Sequence, residues 1–349
     1  MHRFTIKIIC LFIVFILIMV CCRNDDLPTI TQPDELQDDI GGSASDNARR
    51  LMQFLSDNYG EKIIAGQMDL TWDDSVDMTA RVSNITGLKP GLTGYDFMNY
   101  CYSSGNGLSQ VEEAIEWWSN GGIAAFMWHW RAPNGKFYTA DTSFRINTSS
   151  NSSEWTFLMD QIDLIAVELK RLQQAGVPVL WRPLHEASGG WFWWGDSGAA
   201  SYIILWNAMY DRLEQQHGLS NLIWVWNGQD QSWYPGSGTV DIIGWDVYAD
   251  KQDYSPQQSA FLSAQSCTSP SKIVALTENG VIPDPQECYD QGVMWSWFMV
   301  WNDNPNPDDT YSFWSNPDIN STAHKQYVYS NELVLTLDEL PDLGSYPLP

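Results

Sequence analysis

Along this chain the apolar residues gather into short unbroken runs instead of alternating with polar ones. Eight runs stand out: "KIIAGQMD" (62–69), "LKPGLTGYDF" (88–97), "GIAAFMWHW" (122–130), "VPVLWRPLHE" (177–186), "NLIWVWNG" (221–228), "DIIGWDVY" (241–248), "KIVALTEN" (272–279) and "GVMWSWFMVW" (292–301). Parallel strands covered on both faces produce such runs, whereas strands with one wet face alternate. Between several runs the spacing changes to three and four. The clearest case places Trp155, Leu158, Ile162, Ile165, Leu169 and Leu172 on one helix face, closed by Gly176 and Pro178. Eight strands alternating with helices or long loops predict an α/β fold, a single (β/α)8 TIM-barrel domain. A doubly wound sheet would share the alternation, but the Gly-rich phosphate loop it uses after its first strand is missing.

The ends of the pattern differ from its middle. Arg3 and Lys7 precede thirteen apolar residues, Ile8 to Val20. That run is short for a membrane span and suits a secretory signal. It is followed by "CCRNDD", which resembles a bacterial lipoprotein signal, in which a cysteine is lipidated and becomes the mature N-terminus. Cys22, preceded by the small Cys21, is the expected attachment site; Cys21, preceded by Val20, is the alternative. Residues 1–21 are thus expected to be a signal peptide. Residues 22–43, with six acidic residues, two prolines and a Gly-Gly, hold too little apolar surface to fold and form a flexible tether. Residues 44–349 make the globular domain. The expected location is the outer membrane, on its cell-surface or periplasmic side, with contact to lipid only through the anchor and the protein itself a monomer.

Charge narrows the partners. A net charge of −25 leaves no basic footprint for nucleic acid or an anionic membrane face. Residues 1–21 carry no acidic residue, so their loss makes the chain more negative still. A neutral or cationic ligand fits this charge better, and nineteen tryptophans exceed what a core of this size needs. Beyond the leader only Cys101, Cys267 and Cys288 remain, without C-x-x-C or Cys/His spacing, so a structural zinc site has no support, and nothing else in the sequence implies a metal or an organic cofactor. Cys267 and Cys288 flank one strand and could bridge, leaving Cys101 free.

Barrel enzymes work at the C-terminal ends of their strands. Polar residues collect there: His129 after the third run, His185 and Glu186 after the fourth, Asp246 and Tyr248 after the sixth, Glu278 after the seventh. "HE" at 185–186 is not the start of a zinc-protease H-E-x-x-H, because Gly189 takes the fifth position. "GDSG" at 195–198 lacks the all-β surroundings of a serine protease. His217 and His324 fall on polar, helix-like stretches and read as exposed. Glu186 and Glu278 could be held structurally, with Arg182 the nearby partner. Two carboxyls buried side by side are costly, however, and they suit a glycosidase, where one protonates the leaving oxygen and the other attacks the anomeric carbon.

With these residues in view, "WRPLHEASGGWFWWG" (181–195), "WDVY" (245–248) and "TENG" (277–280) resemble glycoside hydrolase family 26, dominated by endo-β-1,4-mannanases. The resemblance runs from about Ser45 to the C-terminus. It implies a retaining hydrolase acting on β-1,4-mannosidic linkages of mannan, galactomannan or glucomannan, with Glu186 as acid/base and Glu278 as nucleophile. It also implies substrate contacts from His129, His185, Trp191, Asp246, Tyr248 and Trp301, with Trp191 a platform on the leaving-group side. Many relatives place an arginine after the last tryptophan; here Asn302 stands there, which leaves the −2 contacts open. The glycines of the first motif are expected to let its loop approach the sugar, and the tryptophans to supply apolar faces. A mixed-linkage β-glucanase, a β-1,3-xylanase and a non-catalytic polysaccharide-binding lipoprotein are the alternatives.

Overall fold

The structure is a computed structural model that describes residues 43–349 apart from 74, 102–107 and 270. The leader, the tether and both Cys21 and Cys22 lie outside the described residues. Eight parallel strands close into a barrel: β1 (Ile63–Met68), β2 (Leu92–Asp96), β3 (Ile123–Met127), β4 (Val179–Arg182), β5 (Leu222–Trp226), β6 (Ile242–Val247), β7 (Ile273–Asn279) and β8 (Trp297–Val300). Closure comes where β1 pairs with both β2 (Gly66 beside Leu92) and β8 (Ile64 beside Trp297). Each strand lies inside one of the eight apolar runs. A ninth strand of two residues, β9 (Val334–Leu335), adds to β1 and was too short to be predicted.

Helices cover the outside: α1 (Asp46–Asn58), α2 (Met78–Thr86), α3 (Gln110–Ser119), α4 (Ser153–Gln174), α5 (Trp193–Asp196), α6 (Gly198–Tyr210), α7 (Gln258–Gln265), α8 (Pro285–Asp290) and α9 (Thr322–Tyr329). The α4 helix starts where Ser152 accepts the Trp155 amide, and it buries Leu158, Ile162, Ile165, Leu169 and Leu172 of the predicted face. A π-helical turn, Asp211–Gln216, continues α6.

One irregularity shapes the functional end. The β6–β7 register runs evenly to Trp245 beside Leu276 and then jumps, so that Asp246 lies beside Glu278. The extra residue, Thr277, turns its hydroxyl onto Asp246 Oδ1 at 2.7 Å. A bulge thus places two carboxylates on adjacent strands at the same height.

Three expectations change here. Cys267 and Cys288 are both free thiols; Cys267, just past α7, donates to Ser263 O, and Cys288 is buried on the inner face of α8. His324 is buried, stacked on Tyr254 at 3.5 Å and bonded to Ile282 O, contacts from distant parts of the chain that local polarity does not reveal. His217, partly covered, bonds Asp163 at 2.6 Å.

Candidate active site

The chain leaves β4 through Leu184 and Glu186, both with φ of 53°, in the left-handed region that side chains other than glycine seldom adopt. Each such residue costs about 1–3 kcal/mol, tolerated where the surroundings hold it in place. Here Asn227, just after β5, does the holding. Its carbonyl and its side-chain Oδ1 both accept the Glu186 amide, at 2.7 and 3.2 Å.

The same asparagine joins a buried network. Its Nδ2 donates to Asp246 Oδ1 and Thr277 Oγ1, each at 3.1 Å. Arg182 donates through Nη1 to Asp246 Oδ2 at 2.8 Å and to Asn227 Oδ1 at 3.1 Å, and through Nη2 to Glu278 Oε2 at 2.7 Å. Below it, Nη2 also reaches Met127 Sδ at 3.6 Å, above a small void of about 20 Å³ lined by Met68, Met127 and Met299. Asp246 therefore spends its oxygens inside the protein. The Tyr248 hydroxyl donates to Glu278 Oε1 while much of its ring remains exposed.

Glu186, Asp246 and Glu278 bring carboxylate oxygens within 4.8 Å of one another. Three such oxygens could in principle hold a cation, but Arg182 already supplies positive charge to two of them. The two glutamates differ sharply. Burial, then the charges of Glu278 and Asp246, push the Glu186 carboxyl up to about 9; Arg182 and the Trp191 N–H oppose this only in part. Burial and Asp246 raise Glu278 as well, yet Arg182 and the Tyr248 hydroxyl both hold its ionised form. The arrangement keeps a proton on Glu186 and a charge on Glu278.

Trp191, nearly half exposed, donates from Nε1 to Glu186 Oε2 at 2.9 Å and presents its ring beside the acid. The other tryptophans of that motif are packed inside: Trp193 donates to Trp130 O at 2.6 Å and Trp194 to His185 O at 2.8 Å, while Trp181 lies within β4. Its glycines serve the fold of the loop itself. A Cβ on Gly189 would fall 2.1 Å from the Trp191 ring, and one on Gly195 would fall 2.1 Å from Ala187 O. They let the loop fold onto itself, which seats Trp191.

His129 and His185 are buried together, with ring centres 4.6 Å apart, and Trp301 stands 6.0 Å from His129. Asn302 is buried and donates to Asp69 O at 2.8 Å, so it is engaged inside the protein. The connection from β3 to α4 adds Phe137 and Tyr138, unnoticed in the sequence. Tyr138 stacks on Phe192 at 5.5 Å and 11°, and the Thr139 amide donates to Trp191 O at 2.7 Å. Arg182, Asn227 and Asp96 were likewise not singled out as working residues. Asp96 and Arg182 end β2 and β4, the same strand-end position that drew attention to Glu278.

The sequence profile described as Glycosyl hydrolase family 26 matches residues 40–339. The chain belongs to glycosyl hydrolase family 26. Within this family it is similar to a mannan endo-1,4-beta-mannosidase of Thermothelomyces thermophilus, 42% identical over 85% of this chain and 62% of the relative. It also resembles mannan endo-1,4-beta-mannosidase A of a Piromyces species, 35% identical over 85% of this chain and 49% of that one. The chain thus spans between about half and three-fifths of these curated relatives. Among solved family 26 folds, the Podospora anserina GH26-CBM35 beta-(1,4)-mannanase aligns with a TM-score of 0.79 at 39% identity, over 90% of this chain and 70% of that one. A beta-mannanase from a protist symbiont of the termite Reticulitermes speratus, complexed with gluco-manno-oligosaccharide, aligns with a TM-score of 0.80 at 35% identity, over 88% and 99%.

Proposed function

We propose that this protein is a retaining glycoside hydrolase that cleaves β-1,4-mannosidic linkages in mannan, galactomannan or glucomannan. The observation that carries this reading is the pair Glu186 and Glu278, with carboxylate oxygens within 4.8 Å and opposite electrostatic settings. Retaining pairs stand about 5–5.5 Å apart, whereas inverting pairs leave about 6.5–9.5 Å for a water between them. Glu278, aligned by Arg182 and Tyr248, attacks the anomeric carbon as the glycosidic bond breaks. Glu186 gives its proton to the departing oxygen. It then takes a proton from the water that releases the sugar from Glu278. Trp191 stacks on the leaving-group sugar, and its N–H keeps the Glu186 carboxyl aimed.

The mannan preference draws support from the curated relatives named above. Its test is reducing-sugar release from galactomannan, glucomannan, lichenan and β-1,3-xylan side by side. Release confined to lichenan or xylan would overturn the substrate, and release from none would overturn the activity.

We also propose export as a lipoprotein anchored through Cys22 at the outer membrane, with residues 22–43 as the tether and the domain from residue 44 acting as a monomer. The carrying feature is the apolar run Ile8–Val20 followed by cysteine. Cys22→Ala should move the protein from the membrane to the soluble fraction, because the acidic tether has no lipid affinity of its own. Release by Cys21→Ala in its place would assign the anchor to the other cysteine.

A further inference from the structure

Asp96 ends β2 with both carboxylate oxygens engaged. Oδ1 accepts two backbone amides, Met98 and His129, each at 2.9 Å. Oδ2 faces His129 Nδ1 at 2.5 Å. On the far side of that ring, His129 Nε2 lies 3.3 Å from His185 Nε2. Of the remaining His185 groups, Nδ1 has no partner, and the carbonyl accepts from Trp194 Nε1. Phe137, Phe192, Trp194 and Trp301 wall this pair off with ring centres 5.1–6.0 Å away.

Counting hydrogens gives the chain a direction. An ionised carboxylate only accepts, so His129 Nδ1 carries a hydrogen. With that hydrogen on Nδ1, His129 turns the lone pair of Nε2 towards His185, whose Nε2 meets it with a hydrogen. Burial, and the charge of Arg182 after it, keep His185 uncharged, so that hydrogen is the one it has. We propose that Asp96 is a positioning residue for the acid/base: by fixing the tautomers of His129 and His185 it anchors the left-handed Leu184–Glu186 turn that aims Glu186 at Glu278. The proposal rests on the reading of Glu186 as the proton donor.

The geometry makes Asp96→Asn a sharp probe. Two amides donate to Oδ1, and only an oxygen can receive them, so the asparagine must keep its oxygen there. Its amide nitrogen then takes the place of Oδ2 and donates to His129 Nδ1. That forces the His129 hydrogen to Nε2 and the His185 hydrogen to Nδ1. A catalytic triad responds to the same exchange in the same way: geometry survives, the tautomer inverts and turnover falls.

The experiment combines ¹⁵N NMR of the histidine rings with kinetics on galactomannan and on an activated aryl β-mannoside, for the wild-type chain and Asp96→Asn. The wild type should show His129 protonated at Nδ1 and His185 at Nε2, and the variant should show both reversed. Turnover of galactomannan should drop about 10–100-fold, the usual range for loss of an outer orienting partner, with little change in KM. The aryl mannoside, whose leaving group needs little protonation, should keep most of its glycosylation rate. A wild-type spectrum with His129 protonated at Nε2 overturns the proposal, and it decides the matter even if the variant fails to fold. Reversed tautomers with unchanged turnover, or equal losses on both substrates, overturn it as well. A wild type idle on every β-glycan, with the tautomers as assigned, would overturn the glycosidase reading and leave the hydrogen-bond chain standing.

Discussion

Two clusters of largely covered carboxyls lie at opposite ends of the barrel, and each contains two groups raised by burial. At the C-terminal end are Glu186, Asp246 and Glu278. Towards the N-terminal ends of β5 to β7 are Glu214 and Asp241, both bonded to Trp224: its Nε1 donates to Glu214 at 2.9 Å and its amide to Asp241 at 2.7 Å. Burial pushes Glu214 up to about 7 and Asp241 up to about 6, the latter eased by Lys272. Perturbation alone therefore does not mark a catalytic site. What sets the upper cluster apart is divergence. One glutamate is gripped by a guanidinium and a phenol, while its neighbour receives a single indole N–H beside an exposed platform.

The strongest way to break this comparison is to remove each upper glutamate. Glu278→Ala should abolish hydrolysis of every substrate, because no covalent intermediate can form. Glu186→Ala should cost about 10²–10⁴-fold on galactomannan. It should retain glycosylation by an activated aryl mannoside, with azide restoring turnover. Normal aryl-mannoside turnover in Glu278→Ala, with Glu186→Ala beyond azide rescue, would reverse the two roles.

Removing the shared cation comes next. Arg182→Met leaves Asp246 and Glu278 buried without their partner and should lower stability by about 3–5 kcal/mol, measured by urea unfolding. A variant as stable as the wild type would show that water reaches this cluster and supports its charge.

The lower cluster gives a smaller effect with a defined pH sign. Glu214 has a folded-state pKa raised above its ordinary 4.5, so its contribution is fully present below about 4.5 and is lost as pH rises through about 7. Glu214→Gln keeps an oxygen for the Trp224 indole and removes the charge. By urea unfolding it should be more stable than the wild type at pH 8, by about 1–2 kcal/mol after allowing for partial exposure, and show no gain at pH 4. Turnover should be unchanged. A loss of activity like that of Glu186→Ala would erase the distinction between the clusters.

The smallest effect tests the indole bond. Trp191→Phe keeps an aromatic face but removes the N–H that favours ionised Glu186, so the alkaline limb of kcat/KM should move to higher pH by less than about one unit. A downward shift would mean that the bond favours the protonated acid.

The eight strands were legible because a barrel strand must be apolar on both faces, which no surface strand imitates. Strand-end polarity then pointed to Glu186 and Glu278. The rest depended on contacts across the barrel. Arg182 stands close enough in sequence to suggest itself as a partner for the glutamates, but nothing local shows that it joins Asp246 to Glu278. The bulge at Thr277 that sets those two side by side is a matter of register, which composition does not encode. Tryptophan abundance misled in part: eleven of the nineteen are among the fully buried side chains, so most serve the core. Asp96 was readable by the rule that found His129, yet it stood inside an apolar run and drew no attention.

The thioether beneath Arg182 gives this site a particular chemical vulnerability. Oxidation of Met127 to the sulfoxide would put a strong oxygen acceptor beside Nη2, where a weak sulfur now stands at 3.6 Å, in competition with Glu278. Met127 is sealed inside the closed barrel, so peroxide can reach it only when the strands part. Sixteen mass units gained on that one methionine would therefore serve as a clock for how often the barrel opens.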